Sequence, residues 1–193
     1  MKKITEAFSI LLLGCVASGC ASFGGSYEAG AAAPAGGAES LLIQADRYSV
    51  GKPAERDYSR ALELYEQAAA KGSADGMVNA AVMYENGTGI PKNPAKALDL
   101  FRKAAAKGSP AGMFGLGNMY FNGTGTARNR QIAEMWWRKA DAAGSAPAAF
   151  NLARLAEQSG LGAAEAMKLY AKAAYRGSAE AANVLGARYK NGN

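Results

Sequence analysis

Residues 83–108 read Met-Tyr-Glu-Asn-Gly-Thr-Gly-Ile-Pro-Lys-Asn-Pro-Ala-Lys-Ala-Leu-Asp-Leu-Phe-Arg-Lys-Ala-Ala-Ala-Lys-Gly. Asn86-Gly87 is a helix stop, because glycine enters the left-handed conformation after a last turn without a Cβ penalty. A short loop of Thr88, Gly89, Ile90, Pro91 and Lys92 follows. Asn93 then supplies a side-chain cap, and Pro94 suits the first helical position, where no amide hydrogen is needed. Ala97, Leu100, Phe101, Ala104 and Ala105 fall at i, i+3, i+4, i+7 and i+8, one apolar stripe of an amphipathic helix. Lys107-Gly108 closes it. The stretch is a junction between two helices, followed by the whole of the second.

Working outward, the same punctuation returns. Glycine closes an alanine-rich basic stretch at Gly72, Gly108, Gly144 and Gly177, with spacings of 36, 36 and 33. Serine follows each time, as Ser73, Ser109, Ser145 and Ser178, where it caps the next helix. Tyr48, Tyr84 and Tyr120 are 36 apart, and Tyr189 shares their slot once the three-residue deletion is counted. Tyr65, Phe101, Trp137 and Tyr170 hold a second aromatic slot, and Asp57, Asn93 and Asn129 the cap of the second helix. Repetition at this period means a stack of helix pairs, each too small to bury its apolar face alone.

Composition fits that architecture. The chain has 193 residues, and 44 of them are alanine, almost half of its apolar class. Leu, Ile, Val and Phe number only 31, too few for one deep core. Small residues let helices approach closely, while scarce Val, Ile and Thr argue against long strands.

The residues from Met83 to Asn93, followed by Ala97-Leu98 and Ala104 to Gly108, resemble the Sel1-like repeat, an α/α module related to tetratricopeptide repeats. Leu116 to Gly125, ending in Trp136-Trp137-Arg138-Lys139-Ala140, resembles it next best. Residues 38–72 match in their second half, and 145–177 more weakly, with Ala156 at the tyrosine slot and a shortened loop. The resemblance implies an all-α solenoid over 38–193: units 38–72, 73–108, 109–144 and 145–177, then a capping helix in the half unit 178–193.

The amino-terminal end carries a different message. Met1-Lys2-Lys3 precedes an apolar run from Ala7 to Val16, too short for a transmembrane helix and typical of a secretory signal. Ala17-Ser18-Gly19-Cys20 resembles a bacterial lipoprotein signal, implying residues 1–19 as signal peptide and Cys20 as the lipidated residue. Leu12-Leu13-Gly14-Cys15 makes Cys15 the alternative. A neutral residue after the cysteine resembles outer-membrane cargo facing the periplasm, and several acyl chains would hold the protein there. Residues 20–37 then read as a flexible Gly/Ala/Ser tether.

Catalytic chemistry has little to work with. The chain has no histidine, which removes imidazole acid–base catalysis and His-ligated metal, and both cysteines lie in the first twenty residues. No catalytic residue, metal ligand or cofactor is expected, so the chain reads as a non-enzyme. Glu63, Glu66 and Asp99 sit among basic neighbours as solvated helix residues, and no carboxylate pair recurs. Gly87-Thr88-Gly89 lacks the strand and lysine of a phosphate loop. Trp136 and Trp137 occupy the slots of Leu100 and Phe101 and read as core. The defining cysteine pairs of relatives linked with β-lactams are missing.

Binding remains. The net charge of +6 is scattered, without the dense run that nucleic acid would need. The resemblance implies that first helices line a concave face and nominates the positions there that vary between units: Val78, Val82 and Glu85; Phe114, Asn118 and Phe121; Phe150, Arg154 and Glu157. It further implies an envelope-protein partner, with exopolysaccharide export or secretion-system assembly as the setting. An anionic polysaccharide, met by Phe121 and Arg154, is the alternative ligand.

Overall fold

The computed structural model describes residues 37–52, 56–159 and 163–190. The signal peptide, Cys15, Cys20 and almost all of the tether lie outside the described residues. Within them the chain is wholly helical, with no strand. The helices are α1 (Ala38–Val50), α2 (Tyr58–Ala70), α3 (Ala74–Asn86), α4 (Pro94–Ala106), α5 (Pro110–Asn122), α6 (Arg130–Ala142), α7 (Ala146–Gln158), α8 (Ala163–Tyr175) and α9 (Ala179–Lys190).

Starts and stops obey local chemistry. Ser73, Ser109 and Ser145 accept the amide hydrogens of Gly76, Gly112 and Ala148 at the starts of α3, α5 and α7. Ser178 does so for Ala181 in α9. Asp57, Asn93 and Asn129 cap α2, α4 and α6 in the same way. Such caps satisfy amide donors that the first turn leaves orphaned. At the other end Gly87 and Gly123 enter the left-handed region, with φ of +69° and +75°, and their amides return to Met83 and Met119. Helix α7 has no such glycine: Ser159 follows it at φ −90°, where the sequence had shortened the loop.

Consecutive helices pack antiparallel into pairs α1–α2, α3–α4, α5–α6 and α7–α8, and each second helix packs on the next first helix. Helix α9 lies on α8 as a closing first helix. The alanines occupy two fixed slots of every second helix. Ala61 and Ala68, Ala97 and Ala104, Ala133 and Ala140, Ala166 and Ala173 are all fully buried. Their single methyl groups set the close spacing of the layers. The larger side chains fall into three clusters. The first runs through α1–α5, the second joins α7, α8 and α9, and a small third one, around Trp137, Ala140, Ala148 and Leu152, bridges them. The core is thin and extended, as a stack of repeats requires.

Candidate functional site

First helices line one face of the stack. In the early units α1 touches α3, and α3 touches α5, across intervening second helices. The layer whose members converge is the inner one, so this face is concave along α1, α3 and α5. Its middle row is one repeat slot: Val82 on α3, Asn118 on α5 and Arg154 on α7. Val82 and Asn118 are half-buried and Arg154 is exposed.

Asn118 is held from beneath. The indole N–H of Trp137, a side chain only 3% exposed, donates to Asn118 Oδ1 at 3.1 Å. Asn151 on α7 donates its amide to the same oxygen at 3.3 Å. The bonds cross from α5 to its own second helix and to the next first helix. Gly117 makes room for this, because a Cβ there would overlap the Trp137 ring.

Around the row stand the aromatic candidates. Phe121 packs against Trp137 with ring centroids 5.1 Å apart, and the Arg128 guanidinium lies 5.5 Å over it. Phe150 meets Tyr170 at 5.6 Å, and Phe114 leans on the Trp137 cluster. All three phenylalanines are half-buried: each spends part of its surface on internal packing and keeps the rest at the face.

The charged candidates differ in how they are used. Glu85 is half-buried, and burial lifts its carboxyl above the usual range against a partial pull from Lys92. Glu157 is committed, accepting from the Tyr170 hydroxyl at 2.6 Å and pairing with Arg188 of α9. Burial in turn raises the Tyr170 phenol, partly opposed by Arg154. Arg154 itself forms no ion pair among the described residues.

The four repeats match the family model described as Sel1 repeat over residues 45–73, 74–109, 110–145 and 146–178, well over half the chain. The chain belongs to the Sel1 repeat family. A Sel1 repeat protein from Oxalobacter formigenes is 26% identical and superposes with a TM-score of 0.71, over 81% of this chain and 65% of that one. A protective antigen of uropathogenic Escherichia coli strains with the same repeat fold is 28% identical, with a TM-score of 0.64, over 81% of this chain and 34% of that one. The chain thus spans less than two thirds of either structure. No curated protein matches it. Sel1 repeats generally serve as protein-interaction scaffolds.

In this Sel1 array burial removes one residue from the expected strip. Val78 is only 6% exposed and belongs to the core of the first three units, so it drops out of the open strip. Its slot is filled there by a side chain short enough to bury, whereas Phe114 and Phe150 are too long for the same space. Trp136 is half-buried and packs against the first core cluster at its edge, with Lys139 4.5 Å over its ring. Sequence reading missed Asn151, since its slot holds Asn79 and Gly115 in neighbouring units and signals nothing until α5 and α7 are stacked. Among the described residues no cluster of His, Cys, Asp and Glu could hold a metal ion, and no helix is long and apolar enough to cross a membrane.

Proposed function

We propose that the chain is a non-enzymatic adaptor that holds an envelope protein against the open face of its first helices. The observation carrying this reading is the division of labour between the layers. Second helices commit their aromatic slot to the interior, while α5 and α7 keep Phe114, Asn118, Phe150 and Arg154 at the face. Anchoring at the periplasmic side of the outer membrane through Cys20, with Cys15 as alternative, gives the adaptor a fixed station. Exopolysaccharide export or secretion-system assembly is the setting this suits, since both need proteins gathered at that membrane.

Two experiments test it. Cys20→Ala and Cys15→Ala variants, fractionated separately, should show one of them released from the membrane and lacking acyl mass. Retention of both without acyl mass would remove the anchor from the proposal. Capture from solubilised membranes should yield one protein at stoichiometric amount, and a variant with Phe114 and Phe150 both changed to Ala should lose it. Equal capture by the variant would sink the face.

A second reading, an anionic glycan, is favoured by the uncompensated charge of Arg154. It would show as binding to purified polymer that falls steeply with salt.

A further inference from the structure

We infer that the open face of the third and fourth units is built for an extended peptide segment carrying a carboxylate, with Asn118, Asn151 and Arg154 as its polar contacts. This rests on the adaptor reading and names the chemistry of the partner.

The orientation of the two amides follows from Trp137. An indole nitrogen can only donate, so the atom of Asn118 that meets it is the carbonyl oxygen. That fixes the Asn118 amide: its NH2 group faces away from Trp137, and no protein acceptor meets it among the described residues. Asn151 uses its NH2 on the same oxygen, which leaves its own carbonyl oxygen without a protein donor among the described residues. The pair therefore presents one free donor on α5 and one free acceptor on α7. A peptide unit presents the complementary acceptor and donor.

Arg154 adds the charge preference. It stands three residues after Asn151 on α7, one turn along the same side of the helix. The carboxylate best placed to neutralise it is Glu157, three residues further on. That group is already bound to Arg188 and to the Tyr170 hydroxyl. The other acidic groups of these two units are paired on the second helices: Glu134 with Arg138, Asp141 with Lys172 and Arg176, and Glu165 with Lys168. An exposed guanidinium with its neighbouring acids spent is a site for a carboxylate from outside. The half-buried rings of Phe114 and Phe150 flank this polar row and supply apolar contact.

The test uses a defined probe: an N-acetylated, C-terminally amidated Gly-Phe-Gly-Asp-Gly peptide, and its counterpart with asparagine for aspartate. Titration into the purified protein should show the aspartyl peptide binding about tenfold more tightly, a preference that shrinks with added salt. Arg154→Ala should abolish the preference while leaving the asparaginyl peptide unaffected. Trp137→Phe keeps a ring in the core but removes the N–H, so Asn118 is freed to turn over and both peptides should weaken several-fold. Should that variant unfold, Arg154→Ala, at an exposed position, still decides the matter.

Equal affinity for the two peptides, or no binding of either at ~1 mM, would overturn the inference. So would a preference that survives Arg154→Ala, or binding of polygalacturonate through Arg154 with neither peptide bound. The adaptor reading fails separately. Capture of one envelope protein equally by the native chain and by Arg154→Ala keeps the adaptor and removes the carboxylate site. An intact peptide preference with no captured protein does the reverse.

Discussion

Two glycines in one repeat slot show how much the fold depends on single atoms. Gly117 and Gly186 correspond on α5 and α9, yet a Cβ on Gly117 would overlap Trp137, while one on Gly186 meets nothing within 4 Å. Gly117→Ala is therefore expected to destabilise the protein by about 1–3 kcal/mol through overpacking. Gly186→Ala should instead stabilise it by roughly 0.5–1 kcal/mol through helix propensity alone. Urea denaturation of the two variants checks the opposite signs. A second residue-scale contrast concerns two glutamates. For Glu66, burial alone would raise the carboxyl, but hydrogen bonds from Lys96 and Tyr84 outweigh it and hold it below the usual range. Its contribution to stability is present above the unfolded carboxyl's pKa and is lost as pH falls through the lower folded value. Glu85 has the reverse sign: burial raises it, the folded state holds its proton more tightly, and stability declines as pH rises through the carboxylate range. Glu85→Gln should raise the urea midpoint at neutral pH, and Glu66→Gln should lower it there and flatten the acid limb. Caps, stops and the aromatic slot were legible in the sequence because their chemistry is local to one turn. The Asn118 relay was not, because its partners lie 19 and 33 residues away and only stacking joins them.

At the scale of elements, α6 breaks the repeat rule where it matters most. Asp141 occupies the slot held by Ala69, Ala105 and Ala174 in the other second helices. Its carboxylate, largely buried, takes Lys172 Nζ at 2.7 Å and Arg176 Nη1 at 2.6 Å, and the Asp141 carbonyl accepts from Arg176 as well. Second helices α6 and α8 are thus clasped directly across the seam between units three and four. On the opposite edge Arg130 donates to the Ser159 hydroxyl at 3.0 Å. Asp141→Ala should cost about 1–3 kcal/mol, because it leaves a partly buried guanidinium without its charge partner. The loss should be local: amide hydrogen exchange in α7–α9 should quicken while α3 and α4 stay protected. Asp141→Asn keeps one acceptor oxygen but removes the charge, and should cost less than Asp141→Ala; both variants keep the backbone carbonyl that accepts from Arg176, so their difference in urea denaturation measures the remaining side-chain hydrogen bond. The helix pairs themselves were plain from periodicity. This seam was not, since an aspartate in an alanine slot looks like ordinary surface until α8 supplies its cations.

For the whole molecule, the alanine-rich composition means that stability is distributed along a line rather than stored in a centre. Each pair touches only its neighbours, so local openings are set by how many neighbours a helix has and how large its buried side chains are. Helix α5 has a pair on either side, and its Leu116 and Met119 are essentially fully buried between two second helices. Helix α9 packs mainly on α8, with the Arg188–Glu157 pair reaching α7, and Ala181 is its only fully buried residue. Native-state hydrogen exchange should therefore show protection greatest in α3–α5 and falling toward α9, with the last helix opening well before global unfolding. Leu116→Ala probes how far the line acts together. The lost contacts and the cavity should cost about 2–5 kcal/mol. Because α5 belongs to the large cluster and leans on the bridging one, protection should fall in α3–α6 and in α7 but leave the ranking of helices unchanged. An equal loss in all nine described helices would mean that the array unfolds as one cooperative body, and the carboxylate site spanning α5 and α7 would then open only with the rest of the chain.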